Sequence, residues 1–65
     1  MNKQTYNVSG RVFTEYKDAL DYAQDRCNED NQDRHIMHNT GGFWESSYLL
    51  HIIKPSPEGK YNVIT

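Results

Sequence analysis

Three histidines and one cysteine are the residues of this chain whose chemistry reaches beyond packing: His35-x-x-His38, His51 and Cys27. Imidazole and thiolate together bind zinc, and a cysteine beside a histidine can act as a nucleophile. The spacing speaks against both. Arg34 to Asn39 alternates as a strand does, and positions i and i+3 of a strand point to opposite faces, so His35 and His38 diverge. No second cysteine completes a zinc pattern. Cys27 falls on the apolar side of a predicted helix, where its ordinary role is that of a small buried hydrophobe. Gly41-Gly42 lacks the following helix or lysine of a phosphate cradle, and no nucleophile elbow is present. The expectation is a non-enzymatic protein without a metal or cofactor.

Charge is the more informative signal. Thr14 to Asn28, TEYKDALDYAQDRCN, alone carries a helical period over several turns. At about 100° per residue, Tyr16, Ala19, Leu20, Ala23 and Cys27 share one apolar sector, while Asp18, Asp21, Asp25 and Glu29 lie opposite. An acidic face of this kind is most often the solvated side of an amphipathic helix. Three details point to a partner instead. Asp21/Asp25 and Asp25/Glu29 are like-charge i,i+4 pairs that cost about 0.2–0.5 kcal/mol each. Asp25, Glu29 and Asp30 also approach the negative end of the helix dipole, where an anion costs about 0.3–1 kcal/mol at low salt. Aspartate is, moreover, a poorer helix former than glutamate. Arg26 and Arg34 can offset part of this cost. Phe43-Trp44-Glu45 is the second candidate surface: alternation turns one ring away from the core as a binding anchor, unless both rings fold over the sheet.

The elements that position these residues follow from periodicity and turn chemistry. Thr5 to Val12 alternates, with Tyr6, Val8, Gly10 and Val12 on one face, and reads either as one strand or as two folded back at Ser9-Gly10. Thr14 is the expected helix N-cap, and Asn28-Glu29-Asp30-Asn31 the expected end. A strand over Arg34 to Asn39, a glycine turn at Asn39-Thr40-Gly41-Gly42 and a strand running on to Ile53 come next. Pro55 and Pro57 stop that strand, and a short strand from Lys60 to Ile64 is a further option. The predicted fold is α+β: one amphipathic helix on a small, mainly antiparallel sheet of three to four strands in β-α-β-β order, with a possible extra terminal strand, forming a single domain over residues 1–65. One helix covers one face only, yet Tyr48 to Ile53 is apolar on both. Either the chain ends or another molecule must cover the second face, and a homodimer is one expectation.

Sixty-five residues support one thin core, burying roughly 60% of the unfolded surface. With 35% hydrophobic and 25% charged residues, including five Tyr, two Phe and one Trp, the chain is too apolar and aromatic for disorder. A lone cysteine and the lack of a long apolar run suggest a reducing cytoplasm and no membrane. A net charge of −2 argues against direct nucleic-acid binding, although Arg11, Lys17, Arg26, Arg34 and Trp44 would be the residues of such a module.

The pattern Tyr6-x-Val8-x-Gly10-x-x-Phe13-x-x-Tyr16-x-Asp18-Ala19-x-x-Tyr22-Ala23 resembles the openings of short bacteriophage-encoded host-takeover and anti-defence proteins. It covers the N-terminal third of the chain. The resemblance implies a protein that binds and inhibits or redirects a host nucleic-acid machine, such as a CRISPR or other defence complex, a nuclease or RNA polymerase. The acidic face would then meet a basic, nucleic-acid-binding surface of that host protein. A homo-oligomer associating through its sheet is the alternative, with the acidic helix serving only solubility.

Overall fold

A computed structural model of the chain describes residues 4–41 and 47–64. The order is β1 (Thr5–Val8), β2 (Arg11–Phe13), α1 (Tyr16–Asp30), β3 (Arg34–Asn39), β4 (Ser47–Ile53) and β5 (Val63–Ile64). The strands form one antiparallel sheet in the order β2-β1-β3-β4-β5, with α1 packed across one face. This is the expected α+β fold, with five strands where three to four and an option were predicted.

The extra strand comes from Ser9-Gly10. Both residues take positive φ, +52° and +84°, as the two central positions of a tight hairpin require, and the Asn7 side chain accepts a hydrogen bond from the Gly10 N–H at 3.1 Å. The fold-back changes the face of everything after it. Val8 opposes Arg11, so Val12 lies beside Asn7 on the open face and is 61% exposed, whereas Phe13 turns toward the helix. Val12 therefore does not share a face with Tyr6 and Val8, as one continuous strand would require.

The helix begins later than Thr14. Its N-cap is Glu15, in extended conformation and without a side-chain cap, and the first helical bond runs from the Ala19 N–H to the Glu15 carbonyl. It ends at Asp30, within the expected Asn28–Asn31 run, because Asn31 adopts the left-handed conformation (φ +55°) and the Asn31 and Gln32 N–H groups both return to the Cys27 carbonyl. The Asp30–Arg34 ion pair holds this last turn against β3.

Ala19, Ala23 and Cys27 on the helix are fully buried against Val8, Ile36 and Ile53 of the sheet, with Leu20 at their side. Tyr16, assigned by periodicity to the same sector, is instead 39% exposed because it begins the helix at the margin of the core. Opposite the Ile36/Met37 step, β4 carries one extra residue, Leu50, in a bulge that packs against the core. β5 is shorter than the predicted Lys60 to Ile64 and pairs only with Ile52 and Ile53. The glycine-turn expectation reaches residues 42–46, which lie outside the described residues, as do Phe43, Trp44 and Glu45. No helix among the described residues is long and apolar enough to cross a membrane.

Burial pushes the Cys27 thiol up in pKa, with the Asp33 carboxylate adding to the effect, and its Sγ donates to the Ile53 carbonyl at 3.3 Å. Native protein should therefore react with a thiol reagent far more slowly than urea-unfolded protein, by at least two orders of magnitude if exposure requires global opening. Equal labelling rates in the two states would place the helix in a different register.

Candidate functional site

The outer face of α1 carries the four acidic residues singled out in the sequence, all exposed. Their surroundings differ. Asp21 accepts from the Lys17 Nζ at 2.9 Å and from the Tyr61 hydroxyl, so it ties the C-terminal segment to the helix. The Tyr61 hydrogen bond, followed by that of Lys17, holds the Asp21 carboxyl below its usual pKa, while the same Tyr61 contact and then Asp21 push the Lys17 ammonium up. Glu29 lies 3.4 Å from the Arg26 Nη1. Asp18 and Asp25, two turns apart on the same line of the helix, have no side-chain partner among the described residues.

The expectation of a uniformly acidic face is thus corrected. Arg26 and Lys17, at i−3 and i−4, neutralise Glu29 and Asp21 respectively, a pairing that the count of negative charges along the face conceals. Asp18 sits in the first turn, where the dipole favours an anion, and no basic residue occupies the last turn. What remains is a narrow acidic line through Asp18 and Asp25 between two ion-paired flanks. On one side of it, the Arg11 guanidinium stacks over Tyr22 and Phe13, 5.2 Å and 5.8 Å from the ring centroids. Arg34 is likewise engaged, with Asp30 and Ser9. Arg11, Lys17, Arg26 and Arg34 therefore do not form a free basic patch.

A second cluster was not foreseen. Tyr6 stacks on His38 at 4.9 Å, the Tyr48 hydroxyl and the His38 Nδ1 share a 2.8 Å hydrogen bond, and the His38 Nε2 meets the Gln4 Oε1 at 3.0 Å. Because an amide oxygen only accepts, the His38 Nε2 carries a proton and Nδ1 receives that of Tyr48 in the neutral ring. Next to it, Tyr16 shares a 2.9 Å hydrogen bond with the His51 Nε2, and the His51 Nδ1 is buried without a partner among the described residues. The only signal for this cluster in the sequence is the period-2 spacing of Tyr6, His38 and Tyr48 on strands whose pairing was unknown. His35 points to the opposite face from His38, as strand alternation requires, and no group of three metal-ligating side chains occurs among the described residues. The two histidines of the cluster are thus occupied with tyrosines, an arrangement that fastens the helix start to the sheet.

Comparison with protein-family models, curated proteins and solved structures finds no match for this chain.

Proposed function

We propose that the chain is a non-enzymatic binding protein whose acidic helix line docks on a basic surface of a partner protein. One observation carries this reading: Asp18 and Asp25 are exposed and uncompensated on a face whose other acids, Asp21 and Glu29, each have a nearby cation. Ion pairs at the flanks hold the side chains of the rim, while the two central carboxylates are open to an incoming guanidinium or ammonium. The N-terminal resemblance gives the setting: a phage-type protein that inhibits or redirects a host nucleic-acid machine by occupying a groove built for phosphates. Charge steering speeds the encounter, and Trp44, with Phe43 and Glu45, is the proposed anchor.

The test is titration of a fluorescent Arg/Lys-rich peptide against the parent, an Asp18→Asn/Asp25→Asn variant, and an Asp33→Asn/Glu58→Gln variant with the same charge change elsewhere. The parent and the control are expected to bind alike and to weaken with salt, as the Debye length falls from about 10 Å at 0.1 M to about 3 Å at 1 M. The helix variant should bind at least tenfold more weakly. Equal loss in both variants would reduce the effect to net charge and remove this face as the site.

A further inference from the structure

Tyr6, His38 and Tyr48 form one row across β1, β3 and β4, since Tyr6 and Tyr48 are both direct cross-strand partners of His38. Backbone pairing therefore holds the three rings side by side. Tyr6 stacks on the His38 ring with 16° between the planes, and Tyr48 meets that ring edge-on at 84°. The His38 Nε2 donates to the Gln4 Oε1 at 3.0 Å, so the neutral imidazole turns the lone pair of its Nδ1 to the Tyr48 hydroxyl 2.8 Å away. A hydroxyl, a base placed to take its proton and a third group that sets the tautomer of the base are the parts of an activated nucleophile.

We propose that Tyr48 is a base-assisted nucleophile that takes an acyl group from a neutral activated ester, with His38 as the base and Gln4 as the residue that positions it. The Tyr48 Oη forms a bond to the acyl carbon while its proton passes to the His38 Nδ1. The bond from that carbon to the ester oxygen breaks, the oxygen leaves with the electron pair, and the proton on Nδ1 passes to it directly or through solvent. The products are an acyl-tyrosine and an alcohol or phenol, and nothing else is consumed. One acylation per chain needs no turnover, so it is compatible with a protein that is not an enzyme.

Charge selects an acyl donor over a phosphoryl donor. The side chains bonded to or stacked on Tyr6, His38 and Tyr48 among the described residues are Gln4, Tyr16 and one another, all uncharged in the neutral ring state. An anionic phosphate ester finds no arginine or lysine among them to hold it, whereas a neutral ester needs none.

The other tyrosines are internal controls. Tyr61 is as exposed as Tyr48, 49% against 46%, but its oxygen accepts from the Lys17 Nζ at 3.0 Å and its proton is directed to Asp21, a carboxylate held below its usual pKa. An occupied lone pair and a weaker base both slow attack. Tyr16 also shares a hydrogen bond with a histidine, yet the His51 Nδ1 has no partner among the described residues to set the tautomer. Cys27, the stronger nucleophile, is buried and does not compete.

Treatment of the full chain with p-nitrophenyl acetate at neutral pH, with each acetylated position followed by peptide mass spectrometry, tests the proposal. Tyr48 is expected to react at least tenfold faster than Tyr61 or Tyr16, general-base assistance being worth about 10²–10⁴-fold in evolved active sites. His38→Phe, which keeps a ring for Tyr6 to stack on, should bring Tyr48 down to the rate of Tyr61 with an unchanged far-ultraviolet dichroism spectrum. Gln4→Met should slow Tyr48 by about threefold or more, and Gln4→Glu, which keeps an acceptor for the Nε2–H, should restore at least the parent rate. Should His38→Phe fail to fold, the two Gln4 variants, at an exposed position, decide the matter. Tyr48 labelled no faster than Tyr61, acetyl found on His38 instead of Tyr48, or an unchanged Tyr48 rate in folded His38→Phe or in Gln4→Met would overturn the proposal.

Discussion

Replacing Ile36 with Ala is expected to lower the free energy of unfolding by about 2–5 kcal/mol, the range for truncating a buried aliphatic side chain that leaves a cavity. Ile36 is fully buried on the central strand β3, beneath α1 and beside Val8 of β1. A 65-residue domain has only about 3–10 kcal/mol in total, so a measurable fraction of Ile36→Ala molecules should be unfolded in water. Ile36→Val, one methylene smaller, should cost about 0.5–1.5 kcal/mol. Val12→Ala, at a site open to solvent, should stay within about 0.5 kcal/mol of the parent. Urea unfolding followed by far-ultraviolet dichroism orders the three variants. An Ile36→Ala midpoint no lower than that of Val12→Ala would move the core off the centre of the sheet.

Gln24 is the one buried polar side chain among the described residues, and its removal should have the second-largest effect. Its Nε2 donates to the Lys54 carbonyl at 2.8 Å and to the Asn28 Oδ1 at 3.0 Å, while its Oε1 accepts from the Asn62 N–H at 2.8 Å. Asn28 in turn accepts from the Ser56 N–H, so two helix residues satisfy the backbone at both ends of the Lys54–Asn62 segment. Gln24→Ala strands a carbonyl and an N–H, each costing about 1–3 kcal/mol where water does not reach, and should cost about 2–4 kcal/mol in total. Gln24→Glu gives the signature of the network. An ionised carboxylate can accept from Asn62 but opposes the Lys54 carbonyl, whereas a protonated one can donate to it, so folding raises the pKa of that carboxyl above its unfolded value of about 4.3. A group raised on folding contributes its stability at low pH and loses it as pH rises through the folded value. The Gln24→Glu variant should therefore approach the parent as pH is lowered from 7 toward 4.5. A gap between their melting temperatures that is constant over that range would mean that Gln24 acts by packing alone.

The helix, its inner face and the number of layers were legible because a 3.6-residue period over four turns has few competing explanations. Cys27, Leu20 and Ala23 are buried where that period puts them. Ser9-Gly10 was ambiguous because the same residues suit a bend within a strand or a two-residue hairpin, and only the pairing of β2 back on β1 decides between them. That single turn determines whether Val12 belongs to the core or to the open face. On the acidic face, spacing located all four carboxylates and named Arg26 as a cation that offsets them, but not Lys17 as the partner of Asp21, since which carboxylate a cation meets depends on rotamers. Tyr61, 40 residues beyond Asp21, was invisible to any local rule. The Tyr–His cluster needs the β1–β3 and β3–β4 registers together, which no window of sequence contains.

The strand order has a consequence for how the chain reaches this fold. Three of the four strand pairings join sequence neighbours, β1 with β2, β3 with β4 and β4 with β5, and only the β1–β3 seam joins segments separated by the helix. Each hairpin can close on a microsecond timescale from its own loop. The seam cannot: pairing Val8 with Ile36 demands that 27 intervening residues be gathered first, and the loop entropy of that step is recovered only when α1 lays Ala23 and Cys27 over both strands. Assembly of helix and seam is then one event, in which neither half of the sheet has a core until the other arrives. The β1–β2 hairpin, separated from the rest, would be a loose ribbon, and the span from the start of β1 at Thr5 to the end of β4 at Ile53 contains every fully buried side chain among the described residues.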